Sequence, residues 1–171
     1  MYNRVVVPLD GSAAAEGALT TAIEFARLAG ATIHLVRVVD TSWMTRYGVV
    51  GLPIVAESVG DILTEERNVA EDYLAEMRTR VGMTGVPVTV ELREGRAADE
   101  IRAAVLPGDL LTIATHGRSG ISRLAVGSVA EEVARRMETP VLLCRTSGTP
   151  VELEPQTETV ADREVIASPV S

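Results

Sequence analysis

The chain has 171 residues and a formal net charge of −8, and 46% of its residues are hydrophobic. This length favours one domain, and because only 3% of the residues are aromatic, its core must consist of Val, Ile, Leu and Ala. The acidic balance argues against broad nucleic-acid binding, which needs Lys and Arg. It does not exclude a single nucleotide held by backbone N–H groups.

The cysteine content and the N-terminal sequence indicate the compartment. Cys144 is the only cysteine, so no intrachain disulfide can form. The N-terminal residues have the pattern of a strand and a turn and not of a signal peptide, and no apolar stretch is long enough to span a bilayer. No Lys/Arg-rich run suggests a membrane surface as partner. We therefore expect a cytoplasmic protein without a membrane partner.

Strands and helices alternate through the first half of the chain. Residues 5–9 form an apolar run that predicts the first strand, with Pro8 at its last hydrogen-bonded position. Ser12 then caps one helix that Gly30 ends. Residues 33–39 predict the second strand. Residues 40–56 are expected to form an irregular loop, and an amphipathic helix is predicted for residues 57–81.

The same alternation continues in the second half. We predict a third strand at residues 86–92, a short helix at 98–105, a fourth strand at 110–115 and a fourth helix at 128–137. A fifth strand is predicted from Val141 to Cys144.

This alternation predicts an α/β fold, because a strand joined by a helix to the next strand gives a parallel sheet. We expect a doubly wound, five-stranded parallel sheet in the order 3-2-1-4-5, with helices on both faces. Residues 1–146 would form this domain. Residues 147–171 have five acidic residues, one Arg and three Pro, so we expect an acidic tail that is either disordered or draped over the body.

Two loops are expected at the carboxyl ends of neighbouring strands, where ligands bind in open α/β sheets. One is the turn from Pro8 to Ser12, and the other runs from Ala114 to Ser128. The second loop is rich in Gly and hydroxyl groups and leads into a helix, as phosphate-binding loops do. It could equally be a flexible turn into a capped helix, and Ser128 could either cap that helix or contact a phosphate. The loop matches neither the Walker nor the dinucleotide pattern.

The spacing of these residues resembles that of the universal stress protein family. Nucleotide-binding members carry G-x-x-G, nine residues, and then G-[S/T]. Here Ala114 to Gly117 is followed by nine residues and Gly127-Ser128. The segments VVVPLDGS, VRVVD and VGSVAEEVARRMETPVLLCR also fit the family, so the resemblance covers residues 2–145. Ala114 departs from the pattern, because the family has Gly at this position.

The resemblance implies an adenine nucleotide alpha hydrolase-like fold and a site for ATP, accompanied by Mg²⁺ or Mn²⁺. Asp10 would bond the ribose or the adenosine edge, and Ser128 would face the terminal phosphate. The full set of implied contact residues is Pro8, Leu9, Asp10, Val38, Ile113, Ala114, His116, Gly117, Arg118, Gly127, Ser128 and Val129. The family also pairs through its last strand, so the resemblance implies a homodimer through Val141 to Cys144.

Three functions are consistent with these observations. The first is an ATP-binding stress-response regulator or switch, with at most slow hydrolysis or autophosphorylation and no assigned catalytic residue. The second is a nucleotide-free interaction module of the same fold. The third, an enzyme such as a nucleotidyl transferase, ranks last because the turn from Pro8 to Ser12 lacks a Ser-Gly-Gly-type loop.

Several other residues have a structural and a functional interpretation. Asp10 could simply stabilise a turn. His116 could be a general base, but no adjacent carboxylate orients it. His34 and Cys144 are expected to be structural residues of strands. Trp43 and the nearby Tyr47 could cover the pocket or join a subunit contact.

Overall fold

The computed structural model describes residues 2–46, 53–116, 127–146, 148–149 and 151–155. Helices and strands alternate along most of this length. In chain order the elements are β1 (Arg4–Pro8), α1 (Ala13–Glu16), α2 (Ala18–Ala29), β2 (Thr32–Asp40), α3 (Ser42–Arg46), α4 (Pro53–Gly82), β3 (Val88–Gly95), α5 (Ala97–Ala104), β4 (Asp109–His116), α6 (Ser128–Arg136) and β5 (Val141–Thr146).

The five strands form one parallel sheet in the order β3-β2-β1-β4-β5, which confirms the predicted topology. β1 lies at the centre, where Val6 is opposite His34 of β2 on one side and Leu111 of β4 on the other. Pro8 is the last residue of β1, as expected. The strand order reverses between β1 and β4, so a crevice is expected beyond the carboxyl ends of these two strands.

Two buried clusters of aliphatic side chains fix the helices on the two faces of the sheet. Val5 and Val7 of β1 belong to a cluster with residues of α2 and α4, such as Leu19 and Met77. Val6 points the other way and belongs to a cluster with residues of α5 and α6. Successive side chains of a strand alternate between faces, so an apolar run such as that of β1 requires helices on both faces.

The first helical segment differs from the prediction of one continuous helix. It divides at Gly17, whose N–H donates to the carbonyl oxygens of Ala13 and Ala15. A Cβ atom at Gly17 would lie 2.6 Å from Cγ2 of Thr146, at the end of β5. The close approach of this strand explains why a glycine stands there. The predicted cap by Ser12 and the predicted stop at Gly30 are both confirmed.

The segment expected to be an irregular loop at residues 40–56 contains α3 and the start of α4, so that prediction was wrong. The carboxylate of Asp40 accepts a hydrogen bond from the N–H of Ser42 at 2.8 Å, which starts α3. Pro53 is the first residue of α4, a position that proline favours because it needs no hydrogen-bond donor there. β3 also lies later than predicted, at Val88–Gly95.

The two edges of the sheet carry different side chains. β3 is one edge, and it presents the charged residues Glu91, Arg93 and Glu94. β5 is the other edge, and its Leu143 is 44% exposed. Within the part of the chain that the structure describes, no helix is long and apolar enough to cross a membrane.

Candidate functional site

A cavity of about 280 Å³ lies beyond the carboxyl ends of the central strands. The turn after β1, the ends of β2 and β4, and the first residues of α5 and α6 enclose it. Its lining residues are Pro8, Leu9, Asp10, Ala15, Val36, Val38, Ala97, Ile101, Ile113, Ala114, Gly127, Ser128, Val129 and Ala130. The cavity is at the reversal of strand order, the usual ligand position in this type of sheet.

Hydrogen bonds hold the turn after β1 in place. Oδ1 of the exposed Asp10 accepts from the N–H of Ser12 at 2.9 Å, and Oγ of Ser12 accepts from the N–H of Ala15 at 3.1 Å. Gly11 has a φ of 86°, which favours glycine because L side chains are strained there. Asp10 therefore has the turn-forming role that we considered, and its second carboxylate oxygen makes no hydrogen bond within the described ranges.

The amino end of α6 gives the cavity its polar side. Gly127 is the N-cap residue, and among the described residues no side chain makes a capping hydrogen bond to this helix. Ser128 is the first helical residue and does not cap the helix. The first N–H groups of a helix have no partner within the helix, and together with the helix dipole they favour an anion. These groups adjoin the cavity at Ser128 and Val129.

The other walls of the cavity are apolar. Leu9, Val36, Ile101 and Ile113 are all buried, and Val38 is half-buried. An apolar group is favoured against these walls because it removes aliphatic surface from water. Apolar walls together with the first N–H groups of α6 suit a ligand that has an apolar part and an anionic group.

Most of the predicted contact residues lie around this cavity. The structure brings together Pro8, Leu9, Asp10, Val38, Ile113, Ala114, Gly127, Ser128 and Val129. His116 is the last residue of β4, and Gly117 and Arg118 lie outside the described residues. Sequence reasoning missed Ala15, Val36, Ala97, Ile101 and Ala130. Ala97 and Ile101 are spaced by four residues, so they share one face of α5, and this spacing was a usable signal.

Ala114 stands where the family pattern has glycine, and it is half-buried. Besides lining the cavity, it packs against the cluster beneath α2 and α4. In β4 it is the register partner of Cys144, a member of that cluster. The fold thus accommodates the additional methyl group of Ala114.

The two residues expected to be structural, His34 and Cys144, are both buried. Nδ1 of His34 lies 2.8 Å from Oγ1 of Thr89, and its Nε2 lies 2.9 Å from a carboxylate oxygen of Glu91, which confirms the structural interpretation. Cys144 is buried, and burial raises the pKa of its thiol, against a smaller opposing effect of a hydrogen bond with Thr21. No cluster of metal-ligating side chains occurs among the described residues.

A second hollow of about 370 Å³ lies on the other side of the end of β2. Trp43 lines it, together with Arg37, Asp40 and two carboxylates of α4, Glu65 and Glu66. Tyr47 lies outside the described residues. Trp43 therefore does not line the main cavity.

The comparisons with known proteins agree with this fold. The model of the universal stress protein family matches residues 1–145. This chain belongs to the universal stress protein family. A universal stress protein of Methanocaldococcus jannaschii is 32% identical over 149 residues, which cover 85% of this chain and 83% of that protein.

Solved structures of universal stress proteins share the fold. UspA from Lactobacillus plantarum superposes with a TM-score of 0.69 at 25% identity, over 84% of this chain and 98% of that one. A universal stress protein of Archaeoglobus fulgidus, solved in complex with dAMP, has a TM-score of 0.55 at 20% identity, over 84% and 97% of the two chains. These likenesses confirm the doubly wound sheet with helices on both faces.

Proposed function

We propose that this universal stress protein binds ATP in the cavity between β1 and β4 and acts as a nucleotide-dependent regulator of the stress response. The observation that carries the proposal is that one cavity combines apolar walls with a helix start whose N-cap residue, Gly127, has no capping side chain. The complex of the Archaeoglobus fulgidus relative with dAMP supports an adenine nucleotide as the ligand.

Each end of the cavity suits one part of the nucleotide. Val38 and Leu9 would contact the adenine ring, and the second carboxylate oxygen of Asp10 would accept from a ribose hydroxyl. The N–H groups of Ser128 and Val129 at the start of α6 would donate to the phosphates. These roles use the chain's own residues in the positions that the structure gives them.

A divalent cation would accompany the triphosphate, because Mg²⁺ sites usually combine few protein ligands with phosphate oxygens. Among the described residues that line this cavity, the side-chain oxygen atoms belong to Ser128 and Asp10. The cation would neutralise part of the triphosphate charge in a protein whose own net charge is −8. Slow hydrolysis or autophosphorylation at the Ser128 hydroxyl would be a side activity of such a complex.

The decisive experiment measures nucleotide content and affinity together. The purified protein is denatured and its supernatant is analysed by ion-exchange chromatography, and calorimetry follows with Mg-ATP, AMP and cAMP as separate ligands. We expect ATP or ADP in the supernatant and the highest affinity for Mg-ATP. In Gly127→Ala the added methyl group would lie at the proposed phosphate end of the cavity, and we expect affinity to fall at least about tenfold, or about 1.4 kcal/mol.

The substitution at Gly127 has a matched control. Gly127 has a φ of −55°, so alanine adopts this backbone without strain. Gly60→Ala is the same chemical change in α4, where an added Cβ meets no atom within 4 Å, and it should leave affinity unchanged. If the wild-type protein binds none of the three nucleotides, the proposal fails and the nucleotide-free interaction module becomes the better reading.

We also propose that the protein is a cytoplasmic homodimer that pairs through β5. This edge strand carries the exposed Leu143, and an apolar edge invites another strand. In analytical ultracentrifugation Leu143→Glu should give monomers, whereas Leu106→Glu, at a residue that is 53% exposed before β4, should not. A wild-type protein that sediments as a monomer would remove this part of the proposal.

A further inference from the structure

Residues 151–155, which we call the strap, lie against the helix layer on one face of the sheet. Leu153 is half-buried and packs against the cluster beneath α2 and α4. The carbonyl oxygen of Val151 accepts a hydrogen bond from Nη2 of Arg80, in α4, at 2.9 Å. Glu152 and Glu154 are exposed, so the strap alternates apolar contacts with charged residues that face water. Part of the acidic tail is therefore draped over the body.

The arginine that holds the strap also holds α1. Nη1 of Arg80 donates to Oε2 of Glu16 at 3.1 Å, and the side chain of Glu16 is only 12% exposed. The hydroxyl of Tyr73 donates to the other oxygen, Oε1 of Glu16, at 3.1 Å. Burial and then the neighbouring Glu16 raise the pKa of Tyr73, so this hydroxyl keeps its proton and remains a donor at neutral pH.

Glu16 ends the short helix that begins at the candidate site. α1 has four residues, and its first residue follows directly after Ser12, the cap residue of the turn that lines the cavity. A second contact returns to the same turn, because the guanidinium of Arg37 lies 4.9 Å from the ring centroid of Tyr73. Arg37 lies next to Gly11, because a Cβ atom built on Gly11 would be only 2.8 Å from Nη1 of Arg37.

Two nitrogen atoms of Arg37 show that this part of the structure is not saturated with hydrogen bonds. Nε and Nη1 are buried and have no hydrogen-bond partner among the described residues, which is costly for a guanidinium. The stacking on Tyr73 is therefore a main contact that keeps Arg37 beside Gly11. A displacement of Glu16 would move the turn through α1. A displacement of Tyr73 would also move it through Arg37.

We infer that the strap and the nucleotide site are coupled, and that docking of the strap on Arg80 and the α2/α4 cluster raises nucleotide affinity. The inference rests on the proposed function. With the strap in place, Arg80 and Tyr73 fix Glu16, and the turn from Asp10 to Ser12 is preorganised for the ligand. Because coupling between two sites is reciprocal, nucleotide binding must also hold the strap more tightly. Whether the strap is docked on the surface of the protein would thereby depend on whether a nucleotide occupies the site.

The test frees the strap without altering any residue of the cavity. Leu153→Asp places a charge against the apolar cluster. Arg80→Met keeps an unbranched aliphatic stem but lacks the guanidinium that bridges Glu16 and Val151. Both variants of the full chain should bind Mg-ATP about fivefold more weakly in calorimetry, the low end of typical coupling. Leu153→Met and Glu154→Gln are the matched controls and should bind as the wild type does.

Two further measurements test the coupling, one at α1 and one at the strap. The N–H groups of Glu16 and Gly17 are hydrogen-bonded to Ser12 and Ala13, and their hydrogen exchange should accelerate in Leu153→Asp even without nucleotide. In the wild type, a glutamate-specific protease should cleave after Glu152 more slowly when Mg-ATP is present. Cleavage that is as fast with Mg-ATP as without it contradicts the reciprocal effect.

The outcomes separate this inference from the proposed function. If the wild type and Leu153→Asp bind Mg-ATP equally well, the coupling is overturned while the nucleotide site stands, and the strap is only a cover. If the wild type binds no adenine nucleotide, both are overturned. A fivefold loss in Leu153→Asp and in Arg80→Met, with normal binding by Leu153→Met, supports the coupling.

Discussion

Replacement of Asp109 by Asn should destabilise the fold and leave nucleotide affinity unchanged. Asp109 begins β4 at the amino end of the sheet, the end opposite the cavity, and is 5% exposed. Its carboxylate accepts from Nε and Nη2 of Arg4 at 3.2 and 2.5 Å, and from the N–H of Leu106 at 2.8 Å. Asn has nearly the same shape, so the substitution removes the charge and an acceptor without opening a cavity.

The size of the effect follows from these three bonds. An Asn amide turns an NH₂ group toward at least one of the donors, and a hydrogen bond to a charged group contributes about 1.5–3 kcal/mol. The side chain of Arg4 is 26% exposed, so water compensates part of the loss. We expect the free energy of unfolding to fall by about 2–3 kcal/mol. Urea unfolding followed by circular dichroism would show this as a shift of about 1–2 M in the midpoint.

The dependence on pH gives the stricter test. Burial alone would raise the pKa of Asp109, but the hydrogen bonds from Arg4 and Leu106 and the charge of Arg4 outweigh it and hold this pKa below its ordinary value of 3.8. A carboxylate with a depressed pKa stabilises the fold above pH 3.8 and loses this contribution as the pH falls through its folded pKa. The stability gap between wild type and Asp109→Asn should therefore be full at pH 7 and narrow below about pH 4.

A gap that stays equally large at pH 3 would refute this reasoning, because the carboxylate charge would then not be its source. Weaker Mg-ATP binding by Asp109→Asn would refute the assumption that the two ends of the sheet act independently.

Three further substitutions or treatments test the fold. Gly11→Ala should lower stability by about 1–2 kcal/mol, measured by thermal unfolding, because φ is 86° and the new Cβ would lie 2.8 Å from Nη1 of Arg37. Met77→Ala should cost about 2–4 kcal/mol in urea unfolding, since Met77 is fully buried, whereas Met83→Ala at a residue that is 53% exposed should cost little. Cys144 should react slowly with Ellman's reagent at pH 8 until urea is added, because it is buried and burial raises its pKa.

The alternation of strands and helices and the cover on both faces of the sheet followed from the sequence, because apolar runs and helical spacing are local patterns. The apolar run from Val5 to Val7 requires cover on both faces of the sheet. The segments between the strands have the spacing of helices, which supply that cover. The resemblance then placed the two loops at the reversal point. Most of the predicted contact residues line the cavity for this reason, since the carboxyl ends of β1 and β4 are adjacent in any sheet of this order.

The features that sequence reasoning missed depend on contacts between distant parts of the chain. Position 17 requires a glycine because Thr146, at the end of β5, approaches it, and no local pattern shows that approach. Val36 lies within the predicted second strand, and its place in the cavity lining depends on the neighbouring turn: the N–H of Leu9 donates to the carbonyl oxygen of Val36. The start of α3 at Ser42 was missed because the sequence alone did not show that the Asp40 side chain would accept its N–H.

The unequal edges of the sheet limit how copies of the chain can assemble. A sheet with two receptive edges can add copies at both, and such growth has no end. Here the charged β3 edge opposes addition, and the apolar β5 edge alone favours it. Pairing of two β5 strands uses the same surface on both copies and leaves only charged edges outside. Association through the sheet would thus stop at two copies. The charged β3 edge would protect the protein from forming fibres at high concentration.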